Sequence, residues 1–161
     1  MTRLAIVDRR PLPCPFRFPY LGVVLAYNGE VFNAAELRQI LDDGRPWESD
    51  CDAEIIARAW GRWGPECLHQ INGMFAFVLA DLRTGRLMLA RDRAGEKPLY
   101  YAVQPGRLCA ASEIKALALP LVQAPTDCED IAVFEFDCLE STPWVGVRRL
   151  GPGQRIVLAQ P

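Results

Sequence analysis

Short apolar runs, separated by glycine, proline and charge, set the layout of this chain. Leu21 to Tyr27 (LGVVLAY) is apolar over the length of a buried strand and ends in Asn28-Gly29-Glu30, which reads as a turn. Upstream, Arg3 to Asp8 (RLAIVD) predicts a short strand. The intervening Arg9 to Pro19 holds four prolines and predicts an irregular crossing segment. Beyond the turn the period becomes helical. Asn33-Ala-Ala-Glu36 has the form of an N-cap with a capping-box glutamate, and Leu37, Ile40 and Leu41 follow on one face until Gly44 and Pro46. Asp52 is placed to cap a second helix with Ile55, Ile56, Ala59, Trp60 and Trp63 as its apolar set, the tryptophans serving the core. Gly64-Pro65 interrupts it, and Glu66 to Ile71 predicts one more helical turn. Met74–Asp81 and Arg86–Arg91 then read as a hairpin around Leu82 to Gly85. After a charged loop, Asp92 to Pro98, Leu99–Val103 and Arg107–Ala110 make another hairpin. Ser112 to Leu119 predicts a short helix capped by Ser112, and Thr126-Asp-Cys-Glu129 opens a further helix with Ile131, Val133 and Phe134. Arg155 to Ala159 predicts a last strand. Elements of one kind come in blocks, which predicts an α+β class with two sheets covered by helices.

At 161 residues, half of them hydrophobic and 24% charged, the chain predicts one domain with a real core. A net charge of -2 gives no electrostatic case for nucleic acid or an anionic membrane. No apolar run reaches the roughly 18 residues of a membrane span, and the first twenty residues carry charge and proline in place of a signal sequence. The six cysteines form no C-x-x-C and there is one histidine, His69, so neither a zinc site nor any cofactor is expected. Free thiols in a reducing cytoplasm are the expectation.

The candidate chemistry lies at the end of the apolar run. Asn28 carries two N–H donors suited to a developing oxyanion, Gly29 lets a ligand approach the backbone, and Glu30 could hold an ammonium. Together they form half of a site for a zwitterionic amide such as glutamine. Asn28-Gly29 is also a common turn pair, and Asp52 could be an N-cap only.

Wider motifs carry a resemblance. Ala26-Tyr-Asn-Gly-Glu30, Val31-Phe-Asn33, Asp52-Ala-Glu54, Ile71-Asn-Gly-Met-Phe-Ala-Phe77, Ala90-Arg-Asp-Arg-Ala-Gly95, Lys97-Pro-Leu-Tyr-Tyr101, Ala111-Ser-Glu-Ile-Lys115 and Gly146-Val-Arg-Arg-Leu150 stand in the order found in one family. With Arg3-Leu-Ala-Ile-Val-Asp8, the chain resembles the class II glutamine amidotransferase domain of glutamine-dependent asparagine synthetases. The resemblance implies an N-terminal-nucleophile fold, an αββα sandwich of antiparallel sheets. It implies hydrolysis of glutamine to glutamate and ammonia by an N-terminal cysteine whose own α-amino group is the base. By position, it implies that Arg3 binds the glutamine α-carboxylate, that Asn28 and the Gly29 amide form the oxyanion hole, and that Glu30 and Asp52 bind the ammonium. Arg91, Asp92, Lys97 and Glu113 are expected to hold loops, and His69 to have no catalytic role.

The family begins with Met-Cys-Gly-Ile, tens of residues ahead of the segment matched by Arg3 to Asp8. This chain carries no such segment and nothing like the Ser-Gly-Gly-x-Asp-Ser pyrophosphate loop of a synthetase. The expectation is therefore one N-terminally truncated amidotransferase domain over residues 1–161, missing its first strand and unable to hydrolyse glutamine by itself. Its partners would be glutamine and a synthetase domain or chain. The alternative is a non-catalytic glutamine-binding or synthetase-docking scaffold, as in β-lactam synthetases and lasso-peptide cyclases.

Overall fold

A computed structural model of the chain describes residues 2–3, 12–121, 142 and 144–159. Thr2–Arg3 (β1) pairs antiparallel with Leu12–Pro13 (β2). The rest of the predicted Arg3 to Asp8 strand and the helix predicted from Thr126 lie outside the described residues.

The first sheet is built around a nine-residue strand, Val23–Val31 (β4). It pairs antiparallel with Phe16–Phe18 (β3) on one side and Gly73–Asp81 (β5) on the other. Arg86–Arg91 (β6) and Arg155–Leu158 (β10) extend the sheet beyond β5. The second sheet contains Tyr100–Gln104 (β7), Arg107–Ala111 (β8) and Val147–Arg149 (β9), in the order β8-β7-β9.

Two expectations change here. Asn28-Gly29-Glu30 is not a turn: β4 runs through it, paired with Ala76, Phe75 and Met74. Nine residues of long-range pairing outweigh the local turn preference of Asn-Gly. The proline-rich crossing also contains a strand, because Phe16 and Phe18 alternate with exposed Arg17 and bury both rings. β3 is the last strand of its sheet among the described residues, and prolines are tolerated beside such an edge.

Alternation along the strands creates three apolar layers. Val23, Leu25, Tyr27 and Val31 of β4, with Phe75, Phe77 and Leu79 of β5, face the helices Ala34–Ile40 (α1) and Asp52–Trp63 (α2). Their neighbours Ala76 and Val78 face the second sheet, where Leu99, Tyr101 and Leu150 meet them. The other face of that sheet, through Ala102 and Val147, packs under Ile114–Leu121 (α3). The order is helices, sheet, sheet, helix, an αββα sandwich of antiparallel sheets.

The helix ends depart from their predicted caps. Asn33 precedes α1 but does not cap it with its side chain. Its amide instead donates to the Gln70 carbonyl at 2.9 Å and accepts the Asn72 N–H at 3.0 Å, tying the end of β4 to the start of β5. Ile40, predicted on the buried face, is 40% exposed beyond the packed Leu37 and Leu41. Cys51 occupies the cap position of α2 and Asp52 is its first helical residue. Helix α3 begins at Ile114, past the predicted cap Ser112.

Candidate functional site

One corner of the first sheet collects the polar residues singled out by the sequence. Asn28 and Glu30 are two residues apart on β4, so their side chains share a face about 7 Å apart. That face is the one turned to the second sheet, because Asn28 pairs with Ala76 of the inter-sheet core. Both residues are half-buried. Among the described residues the Asn28 carboxamide and the Glu30 carboxylate make no hydrogen bond or ion pair.

Gly29 lies between them and opposite Phe75. The Phe75 N–H donates to Asp92 Oδ2 at 3.2 Å, and the Asp92 N–H donates to the Phe75 carbonyl at 2.8 Å. Both main-chain groups of Phe75 thus turn away from β4, which makes Gly29–Phe75 a non-hydrogen-bonded pair. The Gly29 N–H therefore projects toward the edge of β4 on which β3 pairs. A side chain is excluded at Gly29: φ is +154°, and an added Cβ would collide with the Met74 carbonyl.

Asp52 reaches the same edge from α2. Its Oδ2 accepts the Val31 N–H at 2.8 Å, standing in for a strand partner two residues beyond Gly29. Its other oxygen accepts no hydrogen bond among the described residues. Asn28, Gly29, Glu30 and Asp52 are therefore brought together at one corner. Arg3 is placed only by its pairing with Leu12, and its side chain lies outside the described residues.

Of the residues expected to hold loops, Asp92 and Arg91 are saturated. Asp92 is 1% exposed and accepts the N–H groups of Phe75, Glu96 and Lys97 at 3.2, 2.9 and 3.0 Å. Arg91 donates to the carbonyls of Lys97, Leu150 and Gly95 at 2.6–2.8 Å. Glu113 pairs with Lys115 on the surface, and His69 with Glu66. Cys67 is sealed in the helix-side core, where burial pushes its thiol up to about 12. Cys51 packs on that same core and Cys109 under α3. No group of three or more potential metal ligands occurs among the described residues. No helix among them is long and apolar enough to cross a membrane.

Glu54 and Arg58 were not legible as site neighbours. Their signal was an i,i+4 acid–base pair inside a stretch, Ala53 to Trp60, that is otherwise apolar.

Residues 1–160 match the family described as the glutamine amidotransferase domain. The chain belongs to that family. The chain is similar to curated proteins named as glutamine-hydrolyzing asparagine synthetases. It is 39% identical over 170 residues to a putative glutamine-hydrolyzing asparagine synthetase of Mycobacterium tuberculosis (strain H37Rv), covering 94% of this chain and 25% of the relative. It is 36% identical over 131 residues to glutamine-hydrolyzing asparagine synthetase 3 of Bacillus subtilis, covering 78% of this chain and 21% of the relative. Glutamine-hydrolyzing asparagine synthetase B of Escherichia coli K12 is 38% identical over 116 residues, covering 71% and 21%. The amidotransferase domain thus spans about a quarter or less of these relatives. Among solved structures, glutamine phosphoribosylpyrophosphate amidotransferase of B. subtilis superposes with a TM-score of 0.63 at 23% identity, covering 98% of this chain and 31% of that one. That likeness supports the αββα sandwich.

Proposed function

We propose that this chain carries the substrate-recognition face of a glutamine-hydrolysing domain that supplies ammonia to a synthetase. The observation that carries the reading is the β4 corner, where two uncommitted polar side chains stand among saturated ones. Asn28 and the Gly29 N–H form the oxyanion hole, one donor from the strand face and one from the strand edge. Glu30 and the uncommitted oxygen of Asp52 receive the α-ammonium, and Arg3 the α-carboxylate. The attacking group is a cysteine held at this corner. Cys51, Cys67 and Cys109 pack into cores instead. Binding is therefore assigned to this corner, and the nucleophile is taken from none of these three.

Calorimetry of the folded chain with glutamine tests the binding. Saturable heat at up to millimolar glutamine, lost in Glu30→Gln, is the expected result; no heat from a folded chain overturns the reading. Hydrolysis is tested by joining an upstream segment that begins Cys-Gly and measuring glutamate release. Binding that persists without hydrolysis in the extended chain would favour a non-catalytic scaffold.

A further inference from the structure

Helix α2 carries one ion pair inside an apolar stretch. Glu54 is fully buried and Arg58 nearly so, with 3.0 Å between guanidinium and carboxylate. Burying such a pair costs desolvation that its own attraction barely offsets, so the partners around it are informative. Most belong to the arc of chain that leads into Asp52. Glu54 accepts the Ser49 N–H at 2.8 Å, and Arg58 donates to the Pro46 carbonyl at 2.8 Å and to the Asp43 carboxylate at 3.1 Å.

Trp47 fastens the middle of the same arc. The Arg58 guanidinium lies 4.1 Å from the centre of its ring, and Arg38 of α1 lies 4.3 Å from it. Both guanidinium groups lie against the one ring, so the indole is fastened to side chains of both α1 and α2. Arg38 also donates to the Ser49 carbonyl at 3.1 Å. Ser49 is thus gripped through both its N–H and its carbonyl, three residues before Asp52. The Asp52 carboxylate is what meets β4 at Val31.

We propose that Glu54, Arg58, Arg38 and Trp47 form a positioning device for the ammonium-binding carboxylates. It sets where Asp52 stands beside Glu30, and so how strongly the site prefers a ligand with an α-amino group. This rests on the glutamine reading above. None of the four touches the ligand; they act through Asp52.

The test compares glutamine with glutaramic acid, which keeps the amide and the carboxylate and lacks the α-amino group. Both are titrated by calorimetry into the wild-type chain and into Arg58→Lys and Arg38→Gln, with folding checked by circular dichroism. The wild type should prefer glutamine. Each variant should lose about tenfold in glutamine affinity, the scale of one displaced charge-assisted contact, with glutaramic acid binding unchanged. Equal losses for both ligands would mean a general structural role and overturn the proposal, as would no loss for glutamine. If Arg58→Lys fails to fold, Arg38→Gln decides alone, because it leaves the buried pair intact. A wild type that binds neither ligand, or both equally, would defeat the glutamine reading itself, and this shows before any substitution.

Discussion

Asp92 and Glu30 are carboxylates at the same end of the same sheet, and their surroundings are opposite. Asp92 is buried and accepts three main-chain N–H groups from two segments. Glu30 is half-buried and accepts none among the described residues. A buried carboxylate persists only when its lone pairs are satisfied, so Asp92 is committed to the fold. A half-buried carboxylate with no internal partner is kept in water or by a ligand, which leaves Glu30 available. Asp52 stands between them, with one oxygen committed to Val31 and one uncommitted.

The contrast can be broken by substitution, starting where the largest loss is expected. Asp92→Ala removes the acceptor for Phe75, Glu96 and Lys97 together. It should cost about 3–4 kcal/mol, since an unsatisfied buried donor costs about 1–3 kcal/mol, and urea unfolding would read it. A loss below about 1 kcal/mol would mean that water replaces the carboxylate easily. Gly29→Ala, one strand away, forces a Cβ against the Met74 carbonyl at a φ unfavourable to L residues. About 2–3 kcal/mol of destabilisation is expected by the same measurement.

Asp81 offers a pH test of commitment at the opposite end of β5. Burial would raise its pKa. The Trp60 indole N–H at 3.0 Å and Arg83 outweigh burial and hold the carboxyl at about 2. Its folded pKa lies below the unfolded value, so its stabilisation is full above about pH 4 and disappears as pH falls through about 2. Asp81→Asn should therefore cost up to about 2 kcal/mol at pH 7 and almost nothing near pH 2. A stability difference that does not shrink with acid would contradict this. Glu30→Gln closes the series. It should change stability by less than about 0.5 kcal/mol while abolishing most glutamine binding, the reverse of Asp92→Ala. Strong destabilisation by Glu30→Gln would erase the distinction between the two carboxylates.

Much of this was legible in the residues alone. The β5–β6 and β7–β8 hairpins and the apolar set of α2 follow from short-range pattern, because period and turn chemistry are local. The motifs standing in family order from Arg3 to Leu150 were enough to indicate the family. Local signals misled where distant pairing decides. Asn28-Gly29 looked like a turn and became mid-strand under nine ladder pairs with β5. Asn33 and Asp52 looked like caps, but each side chain was drawn to main-chain groups brought close by the fold, on Gln70 and Asn72 for one and Val31 for the other.

The sequence by itself determined which chemistry is present: an amide, a bare backbone position and carboxylates in a family order. Only the tertiary structure decided which of those groups are spent on the fold and which remain for a ligand. Saturation depends on neighbours supplied by remote segments, and no local pattern records how many N–H groups will converge on a given oxygen.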